Sequence, residues 1–253
     1  MPPSTEFQYG ASMLLASLPL LVWSEHRSRS HAGTVAFKIL SSLAFLAGPC
    51  LTPAPEWSSY RKGIATGLLC SLLGDFFLLP ARSDFYNPMS RKGISTSFQL
   101  GVVAFAAAHV AYIVAFMQSA QDISVPILMA TFTVTMGFAK WLGVIYPAPT
   151  SSATHNVLNL SVPSDMKPLV LVYAAIISSM FGVAVSTTQP GRDASVPPHV
   201  VGAAMFVISD VFVAKDAFGR SSAPRERGWF RITVGYGLYF WGQMVIAGTA
   251  VGL

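Results

Sequence analysis

Charge is what this sequence has least of. Asp, Glu, Lys and Arg make up 11% of its 253 residues, where a soluble domain carries about 25%. That shortage, beside 53% hydrophobic residues, excludes a water-soluble globule. Cysteine is nearly absent: Cys50 and Cys70 both sit in apolar stretches, which argues against a disulfide framework or a thiolate metal centre. Histidines are few, and His26, His31, His109, His155 and His199 fall in no triple-His or His-plus-carboxylate spacing, so no metal and no cofactor is expected. The net charge of +5 comes without a long basic run or a basic helix face, which removes nucleic acid as a partner. No G-x-S-x-G motif marks a serine hydrolase. No basic segment precedes the first apolar run, so a cleaved signal peptide is not expected, and the closing "VGL" carries no lipidation signal.

What is present is apolar length. A membrane-crossing helix needs about 20 apolar residues, and eight runs qualify, near 7–24, 33–52, 62–80, 94–118, 123–146, 168–188, 199–218 and 230–251. The expected fold is an all-α integral membrane protein of eight transmembrane helices, a single polytopic domain over 1–253. The connections hold the turn formers, among them "TPAPEWSS", "PARSDFYNPMS" and "TTQPGRDASVPP". The longest, around 147–167, is polar and reads as a surface loop without function. Odd-numbered loops carry eleven basic residues, Arg27, Arg29, Arg82, Arg91, Lys92, Lys167, Lys215, Arg220, Arg225, Arg227 and Arg231; the even loops and tails carry three, Arg61, Lys62 and Arg192. The positive-inside rule places the odd loops in the cytoplasm. The loop lengths point to a eukaryotic internal membrane such as the endoplasmic reticulum.

Against this background two carboxylates stand out. "LLCSLLGDFFLLP" contains Asp75 and "AMFVISDVFVA" contains Asp210. A carboxylate inside an apolar span is costly unless it has a partner or a task. Counting helical rise, Lys38, Asp75, Tyr173, Asp210, Tyr236 and Tyr239 fall in one slab, roughly 8–14 Å below the cytoplasmic edge. His109 and Gln243 lie deeper. Ser71 and Ser209 are available as neighbours for the two aspartates. A duplication is also visible. Gly67 precedes Asp75 by eight residues and Gly202 precedes Asp210 by eight; Gly101 stands in the same relation to His109, and Gly235 to Gln243. These pairs imply a parallel 4+4 pseudo-repeat around a central cavity, with halves of about 1–120 and 121–253.

The motifs "LLGDFFLL", "GVVAFAAAHVAY", "KPLVLVYAAIISSM", "AAMFVISDVFVAKDAF" and "YGLYFWGQMVI", in this order, resemble the YhhN-like family of membrane proteins, over about residues 9–250. Characterised animal members of that family are lysoplasmalogenases. The resemblance maps the family's paired aspartates onto Asp75 and Asp210, its lysine onto Lys38, its histidine onto His109 and its tyrosine onto Tyr239. Where the family usually has proline after that lysine, this chain has Ile39.

The activity so implied is hydrolysis of the vinyl ether of a lysophospholipid substrate within the bilayer, giving a fatty aldehyde and a glycerophospho-choline or -ethanolamine. Protonation of the double bond needs a general acid, and the oxocarbenium ion that forms needs a base to activate water; paired carboxyls do the same work in glycosidases. The aspartate nearer Lys38 is expected to stay ionised and the other to hold the proton, with Asp210 as acid and Asp75 as base. Lys38, His109, Tyr112, Tyr173, Tyr236, Tyr239 and Gln243 are the expected positioning residues for substrate or water. Arg82, Arg91 and Lys92 are candidates to meet a phosphate, and Trp229 or Trp241 to cover a choline. The same intramembrane groups also suit a proton-coupled or lipid transporter, and a non-catalytic lipid-binding protein is a third reading.

Overall fold

The structure is a computed structural model that describes residues 5–53, 56–87, 93–187, 196–220 and 228–252. The described residues form nine helices and no β-strand beyond two isolated bridges. Eight are long: α1 (Thr5–His26), α2 (His31–Leu51), α3 (Ser59–Phe77), α5 (Thr96–Ser119), α6 (Val125–Leu142), α7 (Lys167–Ser186), α8 (Pro198–Phe218) and α9 (Trp229–Thr249); α4 (Arg82–Tyr86) is a single short turn. They occupy the eight expected runs. Four of them, α2, α5, α6 and α7, are long and apolar enough to cross a membrane.

The helix ends follow local chemistry. Ser30, Ser58 and Ser95 cap α2, α3 and α5, each accepting a hydrogen bond from the backbone N–H three residues on, which satisfies an otherwise orphan donor. Prolines open α6, α7 and α8, where a missing N–H costs nothing. Two ends fall short of expectation. The third helix stops at Phe77 because Pro80 disfavours helical backbone before it. The fifth long helix, α6, stops at Leu142 because Gly143 takes a left-handed φ of 88°. The connection after Pro80, which holds turn formers, also contains α4.

Packing is pairwise. Helix α3 packs on α5, α1 on α2, α8 on α9 and α6 on α7, while α5 with α7 and α2 with α9 join these pairs. The main core includes Phe45, Leu68, Tyr112, Phe116, Phe206 and Phe240. Small residues set the close approaches. A Cβ on Gly67 would lie 2.2 Å from the Tyr112 ring, and one on Gly74 would lie 2.7 Å from Phe105. Helix α6 is the outlier: Leu142 is its one buried residue.

Two sequence readings change here. Residues 143–166 are a packed cap and not a bare surface loop. Leu160, Val162 and Met166 form a second core with Val170, Ala214 and Phe218. Buried Asn156 donates to the carbonyls of Ala148 (3.1 Å) and Leu160 (3.0 Å) and accepts from the Leu160 N–H (2.8 Å). Lys215 and Arg220 donate to the carbonyls of Leu158 and Pro149, which stitches the cap to the end of α8. The composition is polar, but its polar groups are spent on internal bonds. Arg61, counted above as a loop cation, is buried in the first turn of α3 and donates from Nε to the Pro49 carbonyl at 2.8 Å, where it satisfies the C-terminal end of α2.

Two measurements test this packing. Gly67→Ala should destabilise the fold by about 1–3 kcal/mol through overpacking, whereas Gly137→Ala, with open space around its Cβ, should leave the melting temperature in detergent unchanged or raised. Asn156→Ala should expose residues 144–160 to limited proteolysis while α1–α5 stay protected; an unchanged digestion pattern would contradict the pinning role.

Candidate active site

A cavity of about 200 Å³ opens within the bundle. Its walls are mostly apolar, from Phe105, Phe138, Ile177, Phe206 and Val207, and its charged lining is Glu25, Lys38, Asp75, Asp210, Asp216 and Arg231. It reaches the end of the bundle where α1, α3, α6 and α8 finish and α2, α5, α7 and α9 begin.

Asp75 is buried near the C-terminus of α3 with 2% exposure. Lys38 of α2, itself buried, places Nζ 3.5 Å from Oδ1. Ser42 and Tyr239 each donate to Oδ2 at 2.7 Å. The carboxylate therefore has an ion-pair partner and two donors, which is what a buried charge requires. Ser42 follows Lys38 by one helical turn on the same face, a signal that sequence reading passed over. Neither neighbouring serine plays the part expected of it. Ser209 donates to the Phe206 carbonyl, and Ser71 accepts from Gln243 Nε2 at 2.9 Å.

Asp210 of α8 is held differently. Tyr173 of α7 donates to its Oδ2 at 2.6 Å, and no ion pair reaches it among the described residues. Behind Tyr173, its hydroxyl lies 3.2 Å from His109 Nε2 on α5, and the fully buried Nδ1 of His109 has no hydrogen-bond partner among the described residues. A hydroxyl has one proton to give. While Tyr173 gives it to Asp210, His109 must donate from Nε2 and leave Nδ1 bare. If Asp210 instead carries a proton and donates to Tyr173, the tyrosine donates to Nε2 and Nδ1 carries the hydrogen. The protonation of Asp210 and the tautomer of His109 are thus coupled.

Of the residues expected in the site, Lys38, Asp75, Tyr173, Asp210, Tyr236 and Tyr239 line the one cavity. Three stand behind its wall: His109 against Tyr173, and Tyr112, whose hydroxyl donates to Gln243 Oε1 at 2.7 Å. Tyr236 donates to Glu25 at 2.6 Å. Glu25 was missed, since at the last turn of α1 it has the look of an ordinary helix-end acid. Arg231, paired with Asp216, lines the cavity where Arg82 does not; Arg91 and Lys92 lie outside the described residues, as do Arg192, Arg225 and Arg227. Neither Trp229 nor Trp241 is in the lining. Among the described residues no cluster of His, Cys, Asp or Glu is arranged to hold a metal.

An all-helical membrane bundle with two aspartates lining one cavity is the class these features define. The chain belongs to the YhhN family, whose model matches residues 33–250. No curated protein and no solved structure matches it.

The ion pair makes a stability prediction. Lys38→Met should strand the Asp75 charge and cost about 3–5 kcal/mol. In Lys38→Met/Asp75→Asn the charge is gone, and the amide oxygen still accepts from Ser42 and Tyr239. Thermal unfolding of the double variant should therefore lie closer to the parent than that of Lys38→Met alone; the reverse order would rule out a compensated pair.

Proposed function

We propose that this protein hydrolyses the vinyl ether of lysoplasmalogens, with Asp210 as general acid and Asp75 as general base. One observation carries the reading: an aspartate from each half of the chain lines the same apolar cavity, and only Asp75 is paired with a lysine. Family membership supports the same chemistry at the level of the family.

In the proposed reaction Asp210 delivers its proton to the vinyl carbon beta to the ether oxygen. The positive charge that forms is shared between the alpha carbon and the oxygen. Asp75, ionised beside Lys38, takes a proton from water as the water oxygen adds to the alpha carbon. The resulting hemiacetal collapses when Asp75 returns that proton to the glyceryl oxygen and Asp210 accepts the hydroxyl proton. The C–O bond breaks, one water is consumed, and both carboxyls end as they began. Tyr239 and Ser42 hold Asp75 in place, Tyr173 holds Asp210, and His109 buffers the Tyr173 hydrogen bond through its tautomer. Gln243 and Tyr112 brace the wall behind.

The proposal includes eight membrane crossings and a parallel 4+4 repeat. The packing of α1 on α2, α2 on α3 and α3 on α5 recurs as α6 on α7, α7 on α8 and α8 on α9, and α2 with α9 recurs as α7 with α5. Gly67 abuts Tyr112, and Gly202 abuts Ile246, at offsets of 135 and 134 residues. Arg27, Arg29, Arg82, Lys167, Lys215, Arg220 and Arg231 all lie at the end reached by the cavity, which supports a cytoplasmic mouth. A lysolipid headgroup would rest there with its chain directed inward. The carrier reading is less well supported. All eight long helices run unbroken among the described residues, whereas carriers of this kind bind substrate at interrupted helices.

The test is aldehyde release from 1-alkenyl-lysophosphatidylethanolamine and -choline by purified protein. Asp75→Asn and Asp210→Asn should each lower kcat by at least about a hundredfold, with folding checked by thermal unfolding. A folded parent that releases no aldehyde from either headgroup would sink the hydrolase.

A further inference from the structure

The cavity is too short for a whole lipid chain. Along α8 its lining ends at Phe206, four residues or about 6 Å past Asp210; along α7 it ends at Ser178, five residues or about 7.5 Å past Tyr173. Below these positions the bundle is filled: Ala203 of α8, Met180 of α7, Tyr112 of α5 and Gln243 of α9 are all fully buried. A lipid chain spans one leaflet, about 15 Å, which is half of a bilayer's hydrocarbon core. With the vinyl ether at the aspartates, about half of the chain finds no room beneath them.

One wall offers a way out. Helix α6 supplies Thr135, Phe138, Ala139 and Leu142 to the lining, yet among the described helices α7 is the one it packs closely against. Under the proposed repeat α6 stands where α1 stands in the first half. Helix α1 packs on both α2 and α9, and the counterpart of that second contact, α6 on α5, is missing, although residues 120–124 alone separate the two in sequence. Phe138 lines the cavity and is still 48% exposed. The other exposed apolar residue of the lining, among the described residues, is Val213, on a helix flanked by both α7 and α9.

We propose that the cavity opens sideways into the bilayer past α6, and that the aliphatic chain of the substrate leaves by this opening, at Thr135, Phe138 and Ala139, to lie in the surrounding leaflet. The inference rests on the hydrolase reading of the same site and extends it to the chain. Lipid tails are as apolar as the side chains of the wall, so drawing the whole chain out of the bilayer would gain nothing. The protein encloses the vinyl ether and the first few carbons, and the rest keeps its lipid neighbours. Longer chains are then treated alike.

Full-length protein in lipid nanodiscs tests this with two chain lengths. Thr135→Trp and Ala139→Trp each place an indole at the opening. KM for 1-hexadecenyl-lysophosphatidylethanolamine should rise about tenfold or more, while KM for the 1-hexenyl lipid, whose chain ends inside the cavity, stays within about twofold. Turnover of the short lipid also shows that the variants are folded. An equal loss with both lipids, no loss, or a long-chain loss in Val213→Trp alone would overturn the opening at α6. Binding separates this failure from that of the hydrolase. A non-hydrolysable 1-O-hexadecyl-lysophosphocholine with a diazirine near its chain end should, on irradiation, mark residues 125–142, and an excess of the plain ether lipid should suppress the mark. If the parent releases no aldehyde yet shows that competed mark, the hydrolase falls and the chain route stands. If the parent is active and the competed mark falls on other helices alone, the chain route falls alone. If neither aldehyde nor a competed mark is seen, both fall.

Discussion

A charge placed in an apolar interior must be met by fixed partners, and most of this structure's order follows from that requirement. Asp75 draws Lys38 and Ser42 from α2 and Tyr239 from α9 onto α3. Asp210 draws Tyr173 from α7 onto α8, and Tyr173 meets His109 of α5. Ser71, Tyr112 and Gln243 tie α3, α5 and α9 in a closed set. Apolar packing alone lets one helix slide along another at little cost. Polar bonds of defined length do not, so these ties set the register that the aromatic packing then fills.

The two aspartates are chemically alike and are made different by what surrounds them. One faces a lysine and the other a tyrosine backed by a histidine with a spare ring nitrogen. A pair of identical groups in different settings is how proteins obtain an acid and a base from one side-chain type. Lys38 beside Asp75 comes from the first half of the chain and Tyr173 beside Asp210 from the second, while Tyr239 and His109 each cross to the other aspartate's half; under the proposed repeat, this asymmetry is what would give a duplicated scaffold both an acid and a base. Position 38 is lysine where position 173 is tyrosine, at an offset of 135 residues.

Much of this could be read before any coordinates. Apolar length located all eight long helices, and helical rise placed six polar residues at one depth, where they line one cavity. Depth says nothing of azimuth, however, and the choice of partners depends on which way each face turns. For that reason Ser42 was passed over for Ser71 and Ser209. Glu25 escaped because its value comes from Tyr236, 211 residues away in sequence. The cap over residues 143–166 escaped because its serines, threonines and asparagines resemble solvent-facing composition. Its buried Leu160 and Val162 alternate with polar residues, a faint period-two trace in a segment that never becomes a strand.

Helix α6 has one further consequence. It is the shortest of the eight long helices, 18 residues or about 27 Å of rise, and its packing partner is α7. Ten of its residues are exposed, and that face is left to whatever surrounds the bundle. In a bilayer whose hydrocarbon layer is about 27 Å thick it spans without strain; in a thicker sterol-rich membrane the lipid must thin locally or the helix must stand straighter. Since Phe138, Ala139 and Leu142 of α6 line the cavity, membrane thickness would act on the cavity wall, and the lipid composition of the host membrane becomes a mechanical input to the site.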